Sequence, residues 1–108
     1  MTSARPRATL PAVGLICDAI RSRTLIELRY HGLIRLVAPY CHGFSARGVE
    51  VVRAIQVGGS SSSRGFGFGK LWVVADIVGL RLTGKHFEPN DSHYNPNDRG
   101  MQRIHCRI

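Results

Sequence analysis

The stretch "TLIELRYHGLIRLVAPYCHGF", Thr24 to Phe44, constrains the fold more than any other part of the chain. Leu25, Glu27 and Arg29 alternate with Ile26, Leu28 and Tyr30, which is the period-two pattern of a half-buried strand. His31-Gly32 then stands where a two-residue turn sends the chain back. The returning run is rich in β-branched, leucine and aromatic residues. Its Pro39 cannot donate to a ladder and so marks a bend or bulge. An antiparallel hairpin is expected here, and the rest of the chain must be read around it.

"SARG" supplies another tight turn, and "VEVVRAIQV" continues as a third strand. Val49, Val51, Arg53 and Ile55 face one way in it, Glu50, Val52, Ala54 and Gln56 the other. "GGSSSSRGFGFG" is too dense in Gly and Ser for a regular element and reads as a long flexible hairpin loop. A fourth strand is expected in "KLWVVADI", a turn with a single-turn helix in "VGLRLTGKHF", and an irregular polar excursion in "EPNDSHYNPNDRG". "MQRIHCRI" closes the chain as a fifth strand, with Ile104, Cys106 and Ile108 opposite Arg103, His105 and Arg107. Upstream, Val13, Ile16, Cys17 and Ile20 follow the i, i+3, i+4, i+7 spacing of one amphipathic helix. Residues 1–11 read as a flexible basic arm and residues 12–108 as a single domain. The resulting expectation is a mainly β fold, a small SH3/Sm-like barrel of about five strands preceded by one short α-helix.

The charge balance bears on partners. Lys and Arg total 15 against 7 acids, a formal net charge of +8, and Lys70 and Lys85 are the only lysines. Arginine grips phosphate with a planar fork, so polyanions are the natural ligands. Cys17, Cys41 and Cys106 lie far apart without a C-x-x-C pair, a pattern that matches neither a disulfide framework nor a zinc knuckle and fits a reducing cytoplasm. No apolar run is long enough to span a bilayer.

"RGFGF", Arg64 to Phe68, fits the opening of the RNP1 signature of RNA-recognition motifs. Its context argues otherwise: it begins inside the Gly/Ser loop, and the expected element order is not βαββαβ. A phosphate loop fails on spacing, because Arg64 stands where the first Gly is needed and Leu71 where Ser or Thr is needed. No histidine is paired at metal-ligand spacing, and no Ser or Cys sits in a nucleophile elbow. His42 and Cys41, as strand neighbours, should point to opposite faces. His86, Glu88, Asp91, His93 and Asp98 gather in "HFEPNDSHYNPND", where turn formation explains the residue types more simply than an ion does. The chain is expected to be non-catalytic and to need no cofactor.

A short helix containing "AI", a strand ending in Tyr30, the "R-x-V-x-P" run from Arg35 to Pro39, a strand reading "RAIQ" from Arg53, and "KLWVVADIVGLRLTGKHF" follow one another along the chain. In that order residues 15–87 resemble a WYL domain. The tripeptide that names the family would fall near Glu50, Val51 and Val52, none of which matches. The resemblance implies an Sm-like barrel acting as a regulatory sensor of nucleic acid or nucleotide-like ligands, in transcription regulation or phage defence. On this reading the ligand pocket comprises Arg35, Tyr40, His42, Arg53 and Gln56, with Ser60 to Arg64 as a lid. Arg35 and Arg53 would clamp phosphate, Tyr40 or His42 would stack, and Gln56 would read a polar edge. The alternative is a protein-interaction or inhibitor module that docks on a regulator or a defence nuclease, and a second copy of the chain is a further candidate partner.

Overall fold

The structure, a computed structural model, describes residues 9–60 and 71–108. Helix α1 (Thr9–Ser22) leads into strands β1 (Thr24–Tyr30), β2 (Leu33–Phe44), β3 (Glu50–Gly59) and β4 (Leu71–Val73). A 3-10 turn (Val74–Asp76) then precedes β5 (Ile77–His86), and β6 (Arg103–Arg107) ends the chain. The sheet is antiparallel throughout, in the order β4-β3-β2-β1-β5, with β6 paired to β2. The mainly β expectation with one short helix holds. Among the described residues the sheet has six strands and is not closed, so the barrel of the expectation is not established.

The opening hairpin forms as its sequence requires. His31 and Gly32 both take positive φ (51° and 81°), the left-handed pair that reverses a tightly twisted hairpin. The ladder runs from Tyr30 opposite Leu33 to Ile26 opposite Val37. Pro39 adjoins a bulge, as its missing N–H suggested: Tyr40 is an extra residue between the Pro39–Ala54 and Cys41–Arg53 pairs. The β3–β4 pairing, Val51 to Val73 and Arg53 to Leu71, shows that the Gly/Ser segment joins two antiparallel strands. "RGFGF" itself, with Arg64, lies outside the described residues. So does most of the basic arm, although α1 starts at Thr9 and takes in Pro11, a residue tolerated in a first helical turn.

One segment departs from expectation. "VGLRLTGKHF" is not a turn but most of the ten-residue strand β5. Gly79 and Gly84 (φ 66° and 83°) coincide with the two register shifts along β1, so the glycines mark bulges within a strand. A bulge and a turn make the same demand on backbone conformation, and single-residue signals do not separate them.

Two packed clusters flank β2. Ile16 and Ile20 of α1 pack with Ile26, Leu28, Val37, Val52, Ala54 and Trp72. On the opposite face Ala38, Tyr40, Cys41, Val51 and Met101 are packed, with Phe87 and Tyr94 of the polar excursion's approach and middle laid over them. Val51 falls in one cluster and Val52 in the other, so the alternation expected of β3 is present. Burying each large apolar side chain contributes roughly 1.5–3 kcal/mol, enough for a small sheet with two covered faces to hold together.

Candidate functional site

The expected pocket residues are distributed over three places. Arg35, Gln56 and Ser60 form the first. Arg35 is 1% exposed, and its guanidinium lies 5.6 Å from the Tyr30 ring centroid and 5.5 Å from that of Trp72. Its Nη2 donates to the Tyr30 carbonyl (3.0 Å) and its Nη1 to Gln56 Oε1 (3.4 Å). Gln56 in turn donates to the carbonyls of Gly58 and Ser60, at 2.9 and 2.7 Å. Arg35 Nε has no hydrogen-bond partner among the described residues. The arrangement holds the end of β3 against β2, and the Arg35 fork is turned inward instead of toward an opening.

Arg53 is in the second place. Its Nε and Nη2 donate to the two carboxylate oxygens of Asp98 at 2.6 and 2.8 Å, a bidentate pair at the far side of the sheet from Arg35. Asp98 also accepts from the Gly100 N–H (2.8 Å). The Arg53 guanidinium holds the Asp98 carboxyl below the ordinary carboxylate range, against the opposing effect of burial. The phosphate clamp expected of Arg53 is thus occupied by a carboxylate of its own chain. Tyr40 is buried nearby between Phe87 and Tyr94, at ring distances of 5.5 and 5.0 Å. It belongs to the packed cluster and offers no exposed stacking face.

His42 is in the third place, and there it meets residues that sequence spacing did not bring together. The ligand-type atoms of Cys17, His42, His105 and Cys106 all lie within 4.8 Å of one another. Cys17 comes from the apolar face of α1, His42 from β2, and the adjacent pair His105-Cys106 from β6. Cys17 and Cys106 are joined in a disulfide across a sequence separation of 89, a pairing that the reading of the cysteines as no disulfide framework did not expect. His105 Nδ1 lies 3.1 Å from His42 Nδ1 and 3.5 Å from Cys17 Sγ. His42 Nε2 faces Glu50 Oε2 at 2.7 Å. Burial pushes the His42 pKa down while Glu50 pulls it up, and burial is the larger effect.

A bulge makes this cluster. His42 pairs with Cys106 and Gly43 with Ile104, so His105 is the extra residue. Strict alternation would send His105 and Cys106 to opposite faces; the bulge brings both toward His42. Gly43 is what lets β6 approach, because a Cβ there would overlap the Arg103 carbonyl oxygen. Cys41, one residue from His42, points to the opposite core as expected, with its Sγ 3.5 Å from Met101 Sδ. Burial pushes its thiol up to about 11, so it is inert. The acidic and histidine residues of the polar excursion do not converge: His93 bonds Asp91 locally and Asp98 is taken by Arg53.

The described residues thus define a small antiparallel sheet protein whose helix, central strand and last strand meet at a Cys/His cluster. Comparison with protein-family models, with curated proteins and with solved structures finds no match. The likeness to WYL domains therefore rests on the quoted residues alone. Among the described residues, no helix is long and apolar enough to cross a membrane.

Proposed function

We propose that the chain is a non-catalytic module that binds single-stranded nucleic acid, or a nucleotide-like phosphorylated ligand, on an arginine-bearing surface at the β2–β3 turn. One observation carries this reading: the exposed Arg103 guanidinium lies 4.6 Å over the half-buried Phe44 ring, beside the turn that holds Arg47. Phe44 and Arg103 are direct cross-strand partners, and the Gln102 N–H donates to the Phe44 carbonyl (2.7 Å). An aromatic face with a cation against it is a sequence-tolerant platform for bases, and neighbouring arginines follow the phosphates. Arg21, Arg23, Arg29, Arg47, Arg99 and Arg103 are exposed and form no salt bridge among the described residues, so the +8 charge is largely uncompensated at the surface. The WYL resemblance supports a regulatory setting in the cytoplasm, in transcription control or phage defence.

Fluorescence anisotropy with a labelled single-stranded oligonucleotide tests the proposal. Affinity should fall as salt rises, with a slope of about 0.7 per phosphate contact. Arg103→Ala should flatten that slope by about one contact. Phe44→Ala should cost roughly 1–3 kcal/mol of binding. No binding at low salt, or an unchanged slope in Arg103→Ala, defeats this reading. The protein-docking reading then takes its place, supported by the row Ile34, Arg29 and Val78 across β2, β1 and β5, in which Ile34 and Val78 are 48% and 60% exposed.

A further inference from the structure

The four residues around His105 carry a second, independent reading. Two sulfurs and two imidazole nitrogens from three separate elements are the donor set of a tetrahedral structural zinc site. Two donor distances are close to that geometry. With Zn–N of about 2.0–2.1 Å and Zn–S of about 2.3 Å, tetrahedral angles put the two nitrogens about 3.3 Å apart and each nitrogen about 3.5 Å from a sulfur. The His42–His105 nitrogens are 3.1 Å apart, and His105 Nδ1 is 3.5 Å from Cys17 Sγ. The two sulfurs are closer than a shared ion needs, because they are bonded to each other.

The surroundings also suit an ion. Glu50 accepts from His42 Nε2, which leaves the His42 Nδ1 lone pair aimed into the cluster. A carboxylate on the outer nitrogen is the usual way a metal-ligating histidine is oriented. Without an ion, two nitrogens of the same kind face each other and His105 must carry the proton between them. His105 is exposed while Cys17, His42 and Cys106 are buried, so the site has one open side for entry.

We propose that the reduced chain binds one zinc-class divalent ion through the thiolates of Cys17 and Cys106 and Nδ1 of His42 and His105, and that the Cys17–Cys106 disulfide is the oxidised, metal-free form of the same site. The interconversion balances. A dithiol reductant gives two electrons and two protons, the S–S bond breaks, two Cys thiols form, and the dithiol closes to its own disulfide. The ion then displaces the two thiol protons to solvent. In the reverse direction a peroxide takes two electrons from the thiolates and, with two protons, leaves as water; the sulfurs bond and the ion departs. In either state α1 is tied to the last strand, by a covalent bond or through an ion.

The experiment is a metal titration of the full chain, reduced with a dithiol and desalted without oxygen. Cobalt(II) is the optical probe and zinc(II) the competitor. The proposal expects the visible bands of tetrahedral cobalt with a thiolate charge-transfer band, one ion per chain by native mass spectrometry, displacement by zinc, and none of these signals from the oxidised chain. Because His105 is exposed, His105→Ala should keep the β circular dichroism spectrum while losing the tetrahedral signature. Glu50→Gln should weaken zinc binding about 10–100-fold. Cys41→Ala should bind as the native chain does. The proposal is overturned by octahedral or absent cobalt bands in the reduced chain, by equal binding in the oxidised chain, or by an unchanged spectrum and affinity in His105→Ala. None of these outcomes depends on whether the Arg103 surface binds an oligonucleotide.

Discussion

Arg35 and Arg53 sit on neighbouring strands, and both are largely removed from water, yet their surroundings have nothing in common. Arg53 is held by a carboxylate in bidentate contact. Arg35 has two aromatic faces, a backbone carbonyl and an amide oxygen, with no acid among the described residues against it. The first arrangement places two opposite charges that depend on each other. The second spreads one charge over polarizable rings and dipoles, at the cost of leaving Nε without a partner. Removing a partner should therefore have unequal consequences on the two sides of the sheet.

The largest effect belongs to Asp98. Asp98→Ala takes the bidentate carboxylate away from a mostly buried Arg53 cation, and breaking such a pair costs about 3–5 kcal/mol. Chemical denaturation followed by circular dichroism reads this as a lower midpoint at unchanged slope. The pair also brings a pH dependence through its carboxylate. The folded Asp98 carboxyl titrates below its unfolded value, so its contribution is fully present above about pH 3.9, the unfolded reference, and is lost as pH falls through the lowered folded value. Asp98→Asn should remove that component of the acid limb, and an acid limb identical to the native one would break the contrast.

Arg35→Met comes next. It removes the donors to the Tyr30 carbonyl and Gln56 Oε1, for about 1–3 kcal/mol, but strands no opposite charge and also removes the unpartnered Nε. The loss should be smaller than for Asp98→Ala and flat across acid pH. If Arg35→Met is as damaging as Asp98→Ala, the rings and dipoles around Arg35 matter as much as a carboxylate does.

The sequence was informative where one residue type answers one local demand. Alternation in Thr24 to Tyr30, His31-Gly32 at positive φ and Pro39 beside a bulge were all legible. So was the split between Cys41 and His42. What was not legible depends on bulges that single residues either do not signal or signal in the same way as a turn. The bulge at His105 brings His105 and Cys106 to one side and joins four residues from distant parts of the chain, and the bulges at Gly79 and Gly84 turn an apparent turn into β5. Arg53 was expected to clamp phosphate and instead holds a carboxylate of its own chain. Its partner Asp98 lies in an irregular segment, where no periodicity points to a contact.

The smallest effect marks the lower end of the scale. Arg81 donates to Glu27 across β5 and β1 at 2.9 Å, closer than the longer of the two Arg35 bonds. Both side chains are well exposed, 62% and 39%, so water competes for each charge and salt screens the rest. Arg81→Ala should cost about 0.2–1 kcal/mol, shrinking further in high salt. Short distance alone would rank this pair beside Arg53–Asp98. A denaturation midpoint that moves as far for Arg81→Ala as for Asp98→Ala would show that burial is not what separates the arginines of this sheet, and the contrast between Arg35 and Arg53 would then need a different cause.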